Sequence, residues 1–276
     1  MTDQVKLGIV EWALPVDGPY GCKIAADVGF EGIQLDIGSY QRNFPITKRS
    51  VQEAYLEAAE QFGIEYPAVG CNALDIYGMV APKGFNERAI AYKVMTSAID
   101  AAAAMGIPTV MIQSFKASAI ETSQDFERAI NVFSNVCDYA LDKGQITIGM
   151  ENLLSVDNLI RLIDEVGKPN LKVFFDTQNY YLDAKVDVAA MVEPLMPYIC
   201  DVHVKDGHEA DIEPSGALLG EGDSRFFDTI AELRRCGYSG WLISENFYDR
   251  GPVSRLSDDP IELMSKDYQV MRSVAW

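Results

Sequence analysis

Histidine and basic side chains are scarce in this sequence. Its 276 residues include only 2 His, and 23 Lys and Arg stand against 41 Asp and Glu, which gives a formal net charge of −18 at pH 7. A protein that follows the phosphate backbone of DNA or RNA needs a basic surface. The charge therefore disfavours a nucleic-acid partner, and its simplest consequence is solubility.

Long apolar runs and closely spaced cysteines are also missing. No stretch approaches the ~18 consecutive apolar residues that a membrane helix requires, so we expect no membrane association. The first residues lack a basic region followed by an apolar stretch and a small-residue cleavage site. We therefore expect no secretory signal and a cytoplasmic location. The 5 cysteines form no C-x-x-C pair, and their odd number and wide spacing indicate reduced thiols.

The sequence does have a regular alternation of short apolar runs with longer amphipathic segments. This alternation predicts parallel strands joined by crossover helices, and eight such units predict a closed (β/α)₈ barrel that forms one domain over residues 1–276. The predicted strands are Leu7–Leu14, Gly32–Ile37, Glu65–Cys71, Thr109–Phe115, Thr147–Asn152, Lys172–Asn179, Ile199–Lys205 and Trp241–Asn246. The predicted helices are Val51–Phe62, Glu87–Met105, Gln124–Lys143, Val156–Val166, Val188–Met196, Phe226–Arg235 and one near Ile261–Val274.

The longest interruption of this alternation is His208–Arg225, which is rich in Gly, Pro, Ser and acidic residues. It follows the seventh predicted strand, and it is long for a loop of a barrel. Loops of this length are usually functional or mobile, so we predict one of these roles for the segment.

Ionisable side chains lie at the ends of the last four predicted strands. In a parallel barrel the carboxyl ends of the strands face a shared site. Three carboxylates in one place raise one another's pKa, and a divalent cation removes that conflict. Three oxygen ligands and one imidazole suit Mn²⁺, Mg²⁺ or Co²⁺ better than a structural zinc. The candidate metal ligands are Glu151, Asp176, His203 and Glu245.

The sequence resembles the sugar phosphate isomerase/epimerase group of the xylose-isomerase-like barrels, which includes ketose 3-epimerases and hydroxypyruvate isomerase. The motifs that carry the resemblance span nearly the whole chain and follow the order of the family. They specify the family well and the substrate poorly. The matching segments are Gly32–Asp36, Glu151–Asn152, Phe175–Thr177, His203–Gly207, Gly220–Asp223 and Ser244–Asn246.

The resemblance implies a single barrel that binds one divalent ion, with Mn²⁺ expected and Mg²⁺ or Co²⁺ as alternatives. It implies the same four ligands, with Glu151 and Glu245 also acting as the catalytic acid/base pair. One glutamate would remove a proton beside a sugar carbonyl, and the other would return it to the opposite face of the resulting enediolate. The expected activity is that of a sugar or sugar-phosphate isomerase or epimerase. Related barrels often form dimers or tetramers, so we expect a homo-oligomer.

Other polar or aromatic side chains near the predicted strand ends are candidates for substrate contact. Each has a structural alternative. Trp12 can stack on a sugar or pack in the core, Asp157 can stabilise a helix start, and the amides can bond local turns. The candidates for substrate binding are Trp12, Gln34, Asn72, Gln113, Asp157, Asn179, Lys205, Asp206 and Arg225.

One departure from the family pattern leaves other activities open. Ketose 3-epimerases usually carry a histidine at the position of Asn179, and an asparagine cannot take a positive charge. A close alternative is a lyase that cleaves 3-oxo C-glycosides by the same proton removal, together with a small β-rich partner subunit in a hetero-oligomer. An alternative of another class is a non-catalytic barrel that binds carbohydrate.

Overall fold

Eight parallel strands form a closed barrel in the chain order β1 to β8 in the computed structural model of this protein, which describes residues 4–208 and 216–276. This confirms the predicted (β/α)₈ fold. The strands are β1 Lys6–Val10, β2 Gly32–Asp36, β3 Ala68–Gly70, β4 Thr109–Gln113, β5 Thr147–Glu151, β6 Leu171–Asp176, β7 Ile199–Val204 and β8 Trp241–Ser244.

Helices follow each of the strands. Two of them, α1 and α6, have no range in the sequence prediction; both are short, at 8 and 6 residues, and α6 begins at Asn179, which the prediction assigned to the sixth strand. None of the helices in the described ranges has both the length and the apolarity needed to cross a membrane. The helices are α1 Gly21–Val28, α2 Arg49–Phe62, α3 Asn86–Met105, α4 Ser123–Gly144, α5 Val156–Val166, α6 Asn179–Ala184, α7 Val188–Leu195, α8 Phe226–Arg235 and α9 Pro260–Val274.

All eight strands end earlier than predicted. The apolar run of the first strand continues beyond Val10, but Glu11–Ala13 forms a 3₁₀ turn. The sixth strand was predicted to reach Asn179, yet it ends at Asp176 and Asn179 begins α6. Asp176 ends the strand because its side-chain Oδ1 accepts hydrogen bonds from the backbone N–H groups two and three residues ahead. The residues that follow β1 and β6 therefore leave the strand direction and form a 3₁₀ turn and the start of α6.

The contacts within the chain define two compact units, and the divisions between them fall inside β2, inside α2, just before β3 and inside β6. In the first unit β1 pairs with β2 and with β8, and β7 pairs with β8. In the second unit the end of β2 pairs with β3, and the pairing continues through β4 and β5 to β6. The organisation as one domain stays a prediction. The first unit comprises Met1–Gln34, Glu57–Tyr66 and Phe175–Trp276, and the second comprises Leu35–Leu56 and Pro67–Phe174.

The predicted long loop His208–Arg225 lies partly outside the described residues, at 209–215. Its described part is ordered around the buried side chain of Asp206. The backbone of Ala217 forms an isolated antiparallel bridge with Asp206. The carboxylate of Asp206 also accepts five hydrogen bonds, with donor–acceptor distances of 2.6–3.3 Å, from backbone N–H groups and one hydroxyl. The residues that supply these donors are Gly207, Gly220, Gly222 and Ser224.

Helix α9 carries a second buried carboxylate, Asp267, which has no exposed surface. It accepts hydrogen bonds from the backbone N–H of Leu219 at 2.8 Å, from the Asn246 amide at 2.7 Å and from the Tyr248 hydroxyl at 2.9 Å. Burial raises the pKa of Asp267 from 3.8 to about 6, and the charge of Glu221 adds to the rise, although the three hydrogen bonds oppose it. Asp267 therefore binds a proton more readily in the folded chain than in the unfolded chain.

This shift predicts a pH dependence of stability. A group with a raised pKa stabilises the fold most below its unfolded pKa, and that contribution is lost as the pH rises through the folded value. We expect the contribution of Asp267 to fall by up to about 3 kcal/mol between pH 4 and pH 7. Urea unfolding of the wild type and of Asp267→Asn across this range would measure it as a difference between the two proteins. Parallel pH profiles would contradict the prediction.

Candidate metal centre

Glu151 is the last residue of β5 and is almost fully buried. It lies opposite Gln113 in the parallel register of β4 and β5. Its backbone carbonyl accepts hydrogen bonds from the N–H and the hydroxyl of Ser114, at 2.8 and 3.2 Å. Hydrogen bonds from Ser114, which follows β4, therefore hold the main chain of Glu151 within the second unit.

The other three candidate ligands belong to the first unit. Asp176 ends β6, His203 lies in β7, and Glu245 follows β8 directly. The carbonyl of His203 accepts a hydrogen bond from the N–H of Thr177 at 3.1 Å. The N–H of Glu245 donates to the carbonyl of Val204 at 3.0 Å. Strand pairing thus continues up to the residues that carry the three side chains.

The structure brings the four predicted ligands together. Each of Glu151, Asp176, His203 and Glu245 offers one ligand atom, and these atoms all lie within 4.8 Å of one another. The first three side chains are buried, and Glu245 is only 9% exposed. Several carboxylates so close together and so far from water need a positive charge nearby.

Lys205 supplies part of that positive charge. Its ammonium group lies 3.0 Å from Asp176 Oδ2 and also forms an ion pair with Glu245 Oε2. His203 Nδ1 lies 3.1 Å from the same oxygen of Glu245. Burial by itself would raise the pKa of Glu245, but the attraction of His203 and Lys205 outweighs it and holds the pKa well below its ordinary value of 4.5. Glu245 is therefore ionised at neutral pH.

Gln34 and Trp12 contact two of the candidate ligands. Gln34 Oε1 lies 2.8 Å from His203 Nε2 and can accept a hydrogen bond from an Nε2–H group, which leaves Nδ1 facing the cluster. The ring that attracts Glu245 is protonated at Nδ1, and a metal ligand at this position would have to lose that proton. The Trp12 indole N–H donates to Glu245 Oε1 at 3.1 Å. Its ring meets the His203 ring edge-on, with 6.2 Å between the centroids. The Trp12 side chain thus contacts both Glu245 and His203.

The donor set fits a divalent ion that prefers oxygen. The second oxygen of Asp176, Oδ2, is buried and makes no hydrogen bond within the described part of the chain, although Lys205 lies beside it as an ion-pair partner. A carboxylate oxygen in that situation is a suitable ligand for a cation. Three carboxylates and one imidazole match the preferences of Mn²⁺, Mg²⁺ or Co²⁺, and the cluster includes no thiolate that would favour a structural zinc.

Some of the other predicted site residues lie beside the cluster. In the first unit Trp12, Gln34 and Lys205 contact the ligands as described above. Asn179 donates its backbone N–H to Asp176. In the second unit the Gln113 amide donates to Asp75 Oδ1 at 3.0 Å, next to Glu151 in the register of the strands. Their roles toward a substrate stay predictions.

The remaining predicted residues have local partners. The backbone N–H of Asn72 lies 3.3 Å from Asp36 Oδ1, and Asp157 is exposed in the first turn of α5. The Arg225 side chain is 54% exposed and forms ion pairs with two aspartates, Asp187 and Asp228. The carboxylate of Asp206 is surrounded by the loop donors described above. The positions of Asp157, Arg225 and Asp206 therefore favour structural roles.

Sequence reasoning missed two acidic residues near these positions. Asp75 accepts the hydrogen bond of Gln113 and forms an ion pair with Lys116 at 2.5 Å. Asp267 accepts hydrogen bonds from Asn246, which follows Glu245, and from Tyr248, whose hydroxyl also hydrogen-bonds Ser244, the residue before Glu245. A usable signal existed for Asp267, since it shares its helix face with Met264 and Met271, which are buried at spacings of three and four residues. An acid on such an apolar face must have internal partners.

The chain belongs to the xylose isomerase-like TIM barrel family, whose model matches residues 22–274. It is 30% identical over 256 residues to the 2-epi-5-epi-valiolone 7-phosphate 2-epimerase of Actinoplanes sp., and the alignment covers 92% of each chain. The family match confirms the resemblance found in the sequence.

Solved structures agree on the fold. A xylose isomerase domain protein from Planctomyces limnophilus superposes with a TM-score of 0.79 at 18% identity, covering 99% of this chain and 98% of the other. D-Psicose 3-epimerase from Clostridium cellulolyticum H10, solved with D-tagatose, gives a TM-score of 0.78 at 16% identity, covering 98% and 99%. At these identities the likeness establishes the barrel fold and nothing finer.

The contact between Gln34 and His203 predicts an effect on metal binding. Gln34→Leu keeps the volume but removes the hydrogen-bond partner that orients the imidazole. We expect the Kd for Mn²⁺ to rise about tenfold, as is typical when a partner of a ligand is lost. Isothermal titration calorimetry would measure it, with Leu35→Val as a buried control on the same strand. An unchanged Kd in Gln34→Leu would show that Gln34 does not orient a ligand.

Proposed function

We propose that this protein is a divalent-metal-dependent isomerase or epimerase of a sugar or sugar phosphate, which removes a proton beside a carbonyl and passes through an enediolate. The observation that carries the proposal is the buried cluster of Glu151, Asp176, His203 and Glu245, with ligand atoms within 4.8 Å of one another. The 30% identical relative, named as an epimerase of a phosphorylated compound, supports the class of reaction.

The four clustered side chains would hold the metal, and we propose Mn²⁺, with Mg²⁺ or Co²⁺ as alternatives. When bound, the ion would act as a Lewis acid that stabilises negative charge on the substrate oxygens. The protein itself keeps Glu245 ionised and holds the main chain next to Glu151 and Glu245 through strand pairing. Burial of the cluster strengthens every electrostatic interaction within it, because water no longer screens the charges.

We propose Glu245 as the proton acceptor because it carries no proton at neutral pH; its lowered pKa makes it a weak base, so the bound metal would have to acidify the substrate proton. It is ionised, and its two oxygens are held by different donors, the indole of Trp12 on Oε1 and the ammonium of Lys205 on Oε2. A base held within hydrogen-bond reach of the substrate contributes ~10²–10⁴-fold to the rate. We propose that Glu151 is the second member of the pair and acts on the opposite face of the carbon.

Lys205 balances the charge of this pair. Its ammonium group contacts Asp176 and Glu245, and its attraction lowers the pKa of Glu245. The side-chain amides of Gln113 and Asn179 are the proposed partners of substrate hydroxyls, because an amide can both donate and accept hydrogen bonds.

Replacement of either glutamate by glutamine is the main test. Glu151→Gln and Glu245→Gln keep the shape but remove the base, so we expect at least about a 100-fold loss of kcat. Ketohexoses and their phosphates would be incubated in D₂O, and NMR would follow deuterium at the carbon beside the carbonyl. Glu165→Gln, which removes an exposed carboxylate paired with Arg161, is the control. Wild-type rates of exchange in either site variant would refute the acid/base assignment.

Metal removal is the second test. Treatment with a chelator is expected to abolish both deuterium exchange and epimer formation, and Mn²⁺ should restore them. Because a ligand that binds only the folded state raises its stability, Mn²⁺ should also raise the Tm of the metal-free protein. Full activity after complete metal removal, checked by elemental analysis, would rule out a metal-dependent reaction.

The same assay separates the alternatives that Asn179 leaves open. Release of the aglycone from a 3-oxo-glycoside, without interconversion of free ketoses, would favour the lyase. Binding of carbohydrate with no exchange, epimerisation or cleavage under any metal would favour a non-catalytic barrel.

A further inference from the structure

Two residues beside Glu245 in the sequence connect to one buried carboxylate on α9. Asn246 donates its amide N–H to Asp267 Oδ2 at 2.7 Å. Ser244 Oγ hydrogen-bonds the hydroxyl of Tyr248 at 2.7 Å, and that hydroxyl donates to the same oxygen of Asp267 at 2.9 Å. The residues that precede and follow Glu245 are therefore held by a common group from outside the barrel.

The other oxygen of Asp267 holds the described part of the loop between β7 and α8. Asp267 Oδ1 accepts a hydrogen bond from the backbone N–H of Leu219 at 2.8 Å. Asn246 strengthens this link, because its amide also donates to the carbonyl of Ala217 at 3.1 Å. Its side-chain oxygen accepts from the N–H of Asp206 at 3.4 Å. One carboxylate thus joins the end of β8 to the loop that follows β7.

The packing of α9 does not by itself require an acid at this position. Leu263, Met264 and Met271 are fully buried on the same helix. Burial of a carboxylate is unfavourable, and apolar residues of similar volume often replace buried polar groups with no loss of stability. All three donors to Asp267 come from the loop and from the segment around Glu245 rather than from α9. This pattern indicates that the acid serves the site.

We propose that Asp267 is a positioning residue for the candidate metal centre, which fixes Asn246 and Tyr248 and thereby sets the position of the Glu245 carboxylate. The inference rests on the proposed function, since it concerns how one metal ligand is held. Asp267 acts through its neighbours and has no role in contact with the substrate.

Two variants remove different parts of this arrangement. Asp267→Asn keeps the size of the side chain but turns one acceptor into a donor, which then faces an N–H or O–H group. Tyr248→Phe removes only the hydroxyl that joins Ser244 to Asp267. Met271→Ala is the matched control, because it creates a cavity on the same helix and removes none of these hydrogen bonds.

The readout is the affinity for Mn²⁺ alone, measured by isothermal titration calorimetry at a temperature where every variant is folded. Changes in groups that orient metal ligands typically cost 10–100-fold in affinity. We expect the Kd to rise about tenfold in Asp267→Asn and at least threefold in Tyr248→Phe. In Met271→Ala we expect a lower Tm and a Kd within about twofold of the wild type.

The outcomes separate this inference from the proposed function. If the wild type binds Mn²⁺, and Asp267→Asn and Tyr248→Phe lower the Tm but bind it with the wild-type Kd, Asp267 is only structural and the inference is overturned. If Asp267→Asn does not fold, Tyr248→Phe decides alone, and an unchanged Kd overturns the inference. A wild type that binds neither Mn²⁺, Mg²⁺ nor Co²⁺ refutes the metal centre itself, and the inference with it.

Discussion

Mutual repulsion among buried carboxylates is the constraint on which the candidate site depends. Glu151, Asp176 and Glu245 bring their oxygens close together where little water can screen them. The ammonium of Lys205 and the ring of His203 offset part of that repulsion and keep Glu245 ionised. This charge balance is the basis for the proposal that the cluster holds a divalent cation and that a glutamate accepts the substrate proton.

The barrel makes this crowding possible because its strands fix the main chain close to each ligand. The backbone carbonyl of Glu151 is held by Ser114 after β4, and the N–H of Glu245 is held by Val204 of β7. Parallel pairing reaches Glu151 at the end of β5 and Ser244 at the end of β8, so the main chain beside these two glutamates has few conformations to lose when a ligand binds.

Three of the buried aspartates, Asp206, Asp267 and Asp176, differ in the number of hydrogen-bond donors around them. Asp206 accepts five hydrogen bonds from the loop after β7, so its carboxylate is committed to the backbone. Asp267 accepts three and joins that loop to the segment after β8. Asp176 uses Oδ1 for two backbone N–H groups, and its Oδ2, which lies beside Lys205, is the oxygen proposed to bind a metal. Sequence reasoning treated Asp206 as a possible substrate contact because the residue type alone does not reveal these donors.

The sequence by itself determined the order of eight strands, the class of fold and the four residues that cluster, because apolar periodicity and the polar residues at strand ends are local features of the chain. Only the tertiary structure decided that every strand ends earlier than its apolar pattern predicts, that α1 and α6 form, and that Arg225 is exposed and paired with aspartates. It also decided that Gln34 contacts His203, 169 residues further along the chain. Such contacts arise when the barrel closes, and no local pattern records which distant side chain will meet a given donor or acceptor.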